Sequence, residues 1–333
     1  MSSELNWPQS LDRAAQLWKN DDCDAAIDVL KKAVESDRDN VLLKLQKFLM
    51  EKAVEYRDGA PQIDMPPRND EDPVVTVVMP TYNRTRWIRE SIESVCEQDF
   101  EEWELIVVND GGTDEVEEIV KSLGDPRVSY VMAEHGGRAS ALNEGLKGAR
   151  GRYICFLDDD DIYYPNHIGS LVKAMEENPE SPACYSDTIQ AVQVPDGDDY
   201  KIIRKKVART FDFELAPMVL KNYVQSNTVL LRREVFLRNG GFNLKLSCLN
   251  DRDMWIRIAS NEGDFTRVPG ATTEFRQRKD GSNISSNSDF RHLHFSNVLI
   301  TMYKGLFLES RSLGVWSKKR AMRALKYFLD TDS

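Results

Sequence analysis

Four consecutive carboxylates, Asp158-Asp159-Asp160-Asp161, follow directly on the apolar run Tyr153-Ile154-Cys155-Phe156-Leu157. Acidic runs usually form solvated faces. This one begins where a buried strand would end, and ligands of open α/β sheets bind outside the carboxyl ends of the strands. Adjacent carboxylates repel one another, and a divalent cation relieves that repulsion. Oxygen-only donors favour Mg²⁺ or Mn²⁺, held by one or two protein carboxylates with water and substrate phosphates completing the shell. The chemistry expected here is a metal–phosphate site. Two further clusters end β-branched runs. In Pro80-Thr81-Tyr82-Asn83-Arg84, Pro80 stops a strand, and Thr81, Tyr82 and Asn83 offer hydroxyl and amide groups at the sheet edge. Capping of the next helix by Thr or Asn explains the same residues. In Asn109-Asp110-Gly111-Gly112-Thr113-Asp114, the glycines allow a tight turn and Asp110 can accept hydrogen bonds from ligand N–H groups. His292 and His294, two residues apart on a helical stretch, do not face each other, which speaks against a metal pair.

The elements that must position these groups alternate. Strands are expected at Val74–Met79, Glu104–Val108, Arg127–Met132 and Tyr153–Leu157, with helices over Trp87–Glu97, Asp114–Leu123 and Ala139–Ala149. This βαβ texture predicts an α/β domain with a mostly parallel central sheet and helices on both faces. From about Ala183 the pattern loosens into strands at Tyr185–Val194, Tyr200–Val207 and Asn227–Leu231 and a helix over Asp251–Asn261, while Ser186–Tyr200 and Asp264–Ser288 read as loops that select substrate. Before the domain, Ala25–Val34 and Val41–Leu49 carry helical spacing broken at Asp39-Asn40, a helical hairpin of tetratricopeptide-like texture over residues 1–58. One such repeat cannot bury its own face, so it must pack on the rest of the chain or on a second copy as a homo-oligomer. Residues 59–73, with Pro61, Pro66, Pro67 and Pro73, have linker chemistry. Residues 74–286 form the main domain and 287–333 a helical tail. The last part of the tail is a basic amphipathic helix, which can sit on an anionic lipid surface or dock with its cations in water.

Composition narrows the classes. With 44 Lys+Arg against 55 Asp+Glu the net charge is −11, so a nucleic-acid partner is not expected and any phosphate is held locally. The longest apolar run, Val74–Met79 interrupted by Thr76, falls far short of the ~18–20 residues a bilayer requires. Met1-Ser2-Ser3-Glu4 has neither a basic nor an apolar start, so no secretory signal is expected. Five widely spaced cysteines without a C-x-x-C pair argue against a disulfide framework and a structural zinc site. A cytoplasmic protein, peripheral on the membrane if the tail binds lipid, is the expectation.

Strands ending in PTYNR, NDGGTD and LDDDD, in that order, resemble the family 2 glycosyltransferases over roughly Val74 to Ser286. The segment His135-Gly136-Gly137-Arg138 matches the family's Gly/Arg element ahead of the acidic motif, although Ala141-Leu142-Asn143 stands where many members have Ala-Arg-Asn. The resemblance implies a GT-A-type nucleotide-sugar-binding fold and inverting transfer from a nucleotide-diphosphate sugar, UDP-linked in most members. It implies a nucleotide pocket made by Pro80, Thr81, Tyr82, Asn83, Arg84, Asp110, Arg138, Asp158 and Asp159, with Tyr82 beside the base and Asp110 on the base edge. Asp158 and Asp160 match the D-x-D motif, Asp160 being the direct ligand to Mn²⁺ or Mg²⁺. Asn109 replaces the commoner second Asp. Asn250-Asp251-Arg252-Asp253 matches the acidic pair before a helix with an aromatic residue and an Arg, so Asp251 takes the place of the general base, with Asp253 as the fallback. A cap on the Asp251–Asn261 helix is the other reading of Asp251. Arg276, Arg278 and Lys279 match a late basic loop that clamps the diphosphate, and Gly281 suits a lid.

Rival readings lack their signatures. A sugar nucleotidyltransferase would carry a Gly-rich basic loop after the first strand, and a dinucleotide dehydrogenase a G-x-G-x-x-G. A scaffold carrying a degenerate transferase domain is the non-enzymatic alternative. It predicts no Mn²⁺-dependent nucleotide binding. The acceptor implied is a hydroxyl of a glycan, polysaccharide or lipid-linked sugar.

Overall fold

The structure is a computed structural model that describes residues 23–36, 59–113, 115–197, 199–215, 222–246 and 248–280, with residues 10, 13, 14, 17 and 218. The chain divides into two compact units: residues 1–59, 245–249 and 288–333, and residues 60–244 and 250–287. In the first, α1 (Cys23–Ser36) buries Ala26, Leu30 and Ala33 along one helical face, as their spacing predicts. The helix expected at Val41–Leu49 and the tail helix lie outside the described residues.

In the second unit β1 (Val75–Thr81), α2 (Thr85–Cys96), β2 (Trp103–Asn109), α3 (Val116–Leu123), β3 (Val128–Met132), α4 (Arg138–Gly148) and β4 (Tyr153–Phe156) alternate as expected. Then follow β5 (Ile162–Tyr163), α5 (His167–Glu177), β6 (Ala183–Asp196), β7 (Asp199–Ala208), a 3₁₀ turn (Ser226–Thr228), β8 (Val229–Arg232), α6 (Arg233–Asn239), α7 (Asn250–Glu262) and β9 (Thr266–Arg278). The sheet order is β3-β2-β1-β4-β8-β6-β9-β5, with β7 hydrogen-bonded to β6. The pairs β3-β2, β2-β1 and β1-β4 are parallel; beyond β4 the sheet is mixed, and β6-β9 is again parallel.

Every residue of β1 and β2 is buried, which fits the continuous β-branched runs of strands covered on both faces. Val75, Val77 and Met79 share a core with Ile88, Ile92 and Val95 of α2 and Leu171 and Met175 of α5. On the opposite face α4 lies close to the sheet at Gly145, where a Cβ would stand 2.4 Å from Val78 Cγ1.

Three expectations are corrected. Asp264–Ser288 is not a loop as far as it is described: Thr266–Arg278 is a strand hydrogen-bonded to β6, and Ser186–Asp196 belongs to β6 itself. Pro269 and Gly270, where the backbone φ is +115°, interrupt the alternation that would have marked the strand. Pro80 does not stop β1, which continues to Thr81, because β4 pairs with β1 only as far as Val78 and no partner there asks for a proline N–H. Residues 60–73, expected as a linker, belong to the compact unit: Ile63 and Met65 are buried, and Pro61 O accepts the Gly241 N–H at 2.8 Å. Proline lacks a donor but keeps its carbonyl, so a proline-rich segment can still bond and pack.

Candidate functional site

The strand order sets β1 between β2 and β4, so the three motif-bearing strand ends lie side by side at one sheet edge. Thr81 pairs in register with Asn109, and the N–H of Leu157 reaches Val78 O at 3.2 Å, which brings Asp158 level with the end of β1.

The four carboxylates occupy different environments. Asp158 is partly exposed and accepts Arg138 Nε at 2.7 Å, while the other arm of Arg138 donates to Ser226 Oγ at 2.9 Å. Asp159 is buried; it accepts the Thr81 hydroxyl at 2.8 Å and Arg84 at 3.3 Å. Asp160 receives Arg84 at 2.9 Å and also Arg278. The Arg278 guanidinium lies 4.2 Å above the Trp87 ring. Asp161 is held by Asn227 Nδ2 and the Arg276 N–H, each at 2.9 Å, and serves the scaffold. Burial pushes the carboxyls of Asp159 and Asp161 upward, reinforced by repulsion from Asp160. Arginines from the loop after β1, the start of α4 and the end of β9 thus converge on this acidic motif.

Beside it stands a polar turn. Asp110 is buried, and its two carboxylate oxygens accept the Gly136 and Gly137 N–H groups at 2.9 Å each. His135 Nδ1 lies 2.9 Å from Asp110 Oδ2, and its ring stacks on the exposed Tyr82 with centroids 4.4 Å apart. Gly111, at φ +74°, brings the chain so near this segment that a Cβ would meet His135 N at 2.8 Å. Asn109 accepts the Gly112 N–H at 2.8 Å and donates to Tyr130 Oη at 3.2 Å, a donation that Asp could not make. Asn83 Oδ1 accepts the Thr113 N–H at 2.9 Å and ties the first motif to the second.

Asp251 lies in the first turn of α7. Its oxygens accept Asn222 Nδ2 at 2.7 Å and the adjacent Arg252 N–H at 2.8 Å. Burial raises its carboxyl above the ordinary 3.8, and the charges of Arg138, which opposes the rise, and of Asp158, which adds to it, both reach it. Asp253, the fallback, is buried against Arg257 at 2.9 Å, an i,i+4 pair that holds the helix. Of the late basic residues, Arg278 reaches the acidic motif, whereas the Arg276 guanidinium is taken by Glu90 at 2.6 and 2.7 Å and by Glu274 at 3.2 Å. Lys279 is exposed, and its backbone N–H bonds Gln193 O at 3.1 Å. Gly281, His292 and His294 lie outside the described residues. Trp87, His135, Asn222 and Ser226 were missed as site residues. Trp87, three residues after Arg84, was within reach of a motif-centred search; nothing local marks Asn222 or Ser226.

Residues 76–236 match the family described as Glycosyl transferase family 2. YwdF of Bacillus subtilis, described as an uncharacterized glycosyltransferase, is 31% identical over 216 residues, 64% of this chain and 78% of YwdF. Two Rickettsia relatives, also described as uncharacterized glycosyltransferases, are 31% identical, and the chain spans 60% of their length; it spans about a third or less of others. Among solved structures, S. aureus TarS in complex with UDP-GlcNAc superposes with a TM-score of 0.53 at 19% identity, over 76% of this chain and 80% of that one. The mannosyltransferase PcManGT of Pyrobaculum calidifontis, with GDP-Man and Mn²⁺, gives 0.51 at 18% identity over 97% and 88%. At these identities the likeness speaks for the fold.

Proposed function

The chain belongs to the family 2 glycosyltransferases and has their GT-A-type fold, and from that premise we propose that it moves a sugar from a nucleotide-diphosphate sugar, UDP-linked, to a hydroxyl of a glycan or lipid-linked acceptor with inversion. The observation that carries this reading is the convergence of Arg84, Arg138 and Arg278 on Asp158–Asp160 beside the Asp110–Tyr82 turn, with Asp251 in electrostatic reach.

Each group has a task. Tyr82 and His135 form an aromatic surface for the base. Asp110 fixes the Gly136-Gly137 backbone around it and keeps lone pairs for a base N–H. The arginines hold the diphosphate and stabilise the charge that grows on it as the glycosidic bond breaks. Asp251 accepts the acceptor's hydroxyl proton as the new C–O bond forms; with one base and no covalent nucleophile, a single displacement inverts the anomeric carbon.

Asp158 and Asp160 would hold Mn²⁺ or Mg²⁺. The donor set fits: carboxylate oxygens are hard donors, and such an ion takes one or two protein carboxylates and fills its shell with phosphate and water. When bound, such a cation supplies positive charge to the leaving diphosphate.

Calorimetric titration with UDP, GDP, dTDP and CDP, each with Mn²⁺ and with EDTA, tests the reading. One nucleotide, UDP, is expected to bind at micromolar strength with Mn²⁺ and at least about tenfold more weakly in EDTA, and Asp160→Ala should lose that metal dependence. Absence of binding to all four by a folded sample sinks the proposal and favours the scaffold reading.

A further inference from the structure

The strand β7 and the residues after it differ from the rest of the surface. Of the eight large hydrophobic side chains exposed among the described residues, four fall within ten positions: Ile202, Ile203, Val207 and Phe211, each 39–48% exposed. Interleaved with them are Lys201, Arg204, Lys205, Lys206 and Arg209, and no acidic residue stands between Tyr200 and Phe211, although the chain carries 55 acids and a net charge of −11. Nine of the ten residues of β7 are exposed, so both of its faces are open and it projects as one arm of a hairpin with β6. A register shift opposite Val192 and Gln193 leaves Ile203 outside the pairing and turns it outward.

We propose that this hairpin docks on an anionic lipid surface. A hydrophilic polyanion would satisfy the cations but gains nothing from exposed Ile and Val side chains, and a second copy pairing edge to edge would set like charges opposite one another. A bilayer interface satisfies both: headgroups meet Lys and Arg, and the apolar side chains enter the acyl boundary. The hairpin also adjoins the site described above. Tyr200 packs on Trp87 with ring centroids 5.8 Å apart, and Trp87 underlies Arg278, which reaches Asp160. Docking would thus bring the donor site to the lipid surface, where a lipid-linked acceptor resides. That consequence rests on the transfer reading; lipid contact does not, and the nucleotide titration succeeds or fails independently of it.

The test is sedimentation of the full chain with phosphatidylcholine vesicles and with vesicles containing phosphatidylglycerol, in the wild type, in Ile202→Ser/Ile203→Ser and in Lys201→Gln/Arg204→Gln/Lys206→Gln. The wild type is expected to bind only the anionic vesicles, with partition weakened about 100-fold or more by the charge variant and about tenfold or more by the apolar one. Because every variant keeps the basic tail, differences among them report the hairpin. A wild type that stays in the supernatant overturns the proposal, as do two variants that bind like wild type. An apolar variant that binds fully while the charge variant does not overturns it in favour of a soluble polyanion. Hydrogen exchange on the unmodified protein is the second readout: amides of 200–209 should gain protection on adding anionic vesicles, and unchanged exchange there rejects the hairpin as the contact.

Discussion

Asp251→Asn is expected to lower kcat about 10³-fold while the donor Kd stays within about threefold. The amide keeps the shape of the carboxylate and can still accept the Arg252 N–H, while its NH2 replaces the oxygen that accepted Asn222 Nδ2, so the Asn222 amide must turn its oxygen inward to keep that bond. What disappears is the group that takes the proton. Because burial raises the Asp251 carboxyl above 3.8, the wild-type enzyme should also show an acid limb in kcat/KM: the base is ionised and active above its folded pKa, and activity falls as pH drops through it. In the Asn variant the limb should vanish. Initial rates across pH 4–8, with donor affinity measured by calorimetry, check both statements. A variant with wild-type kcat would remove Asp251 from the mechanism and return it to a purely structural place at the start of the helix.

The second large effect concerns stability. His167, at the start of α5, is fully buried; its Nδ1 lies 2.7 Å from Thr272 Oγ1, which donates to Ser186 Oγ at 2.9 Å, and the Ser186 hydroxyl donates onward to Asp187 O. That direction of donation requires the proton on Nδ1. Nε2 has no hydrogen-bond partner among the described residues, so a second proton would sit there buried and unpaired. Burial accordingly lowers the pKa from 6.5 to about 3. The unfolded chain then binds a proton that the folded chain refuses. Stability from this residue is complete above pH 6.5 and declines as pH falls toward 3, by about 3 kcal/mol at pH 4. Since other groups titrate too, the measurement is a comparison: urea unfolding of wild type and His167→Asn from pH 8 to 4. The amide can replace the Nδ1 donor but does not titrate, so the gap between the two proteins should shrink or reverse by about 2–3 kcal/mol on acidification. Parallel profiles would refute the assignment.

Much of this protein was legible in one dimension. The strands ending at Thr81, Asn109 and Phe156 carry their burial in their own composition, since a strand covered on both faces reads as a near-continuous apolar run, its few polar members paired as Thr76 is with Glu104. The residues following them are legible for the same reason: Thr81, Asp110 and Asp158–Asp160 stand just where three apolar runs give way to polar groups. The order of motifs was enough to place the chain in its family and fold.

What the sequence could not show is who meets whom. The carboxylates look equivalent in a row, yet Asp161 is spent on Asn227 and the Arg276 backbone, while Asp158 and Asp160 face arginines drawn from α4, β9 and the loop after β1. Arg276 and Arg278 look like one clamp, and in the regular end of β9 they share a face, yet two residues along the strand is about 7 Å, so one meets Glu90 and the other Asp160. Asp251 and Asp253 look like interchangeable bases, and a rotation of about 200° along α7 sends one toward Arg138 and buries the other against Arg257. Asn222 and Ser226 carry no local signal at all, because their roles come from side-chain hydrogen bonds to Asp251 on α7 and Arg138 on α4, residues far from them along the chain. Local composition determined which segments are buried and where the sheet presents its polar edge. Only the tertiary structure decided each charge's partner, because Coulomb and hydrogen-bond energies depend on distances between segments that the chain keeps far apart in sequence.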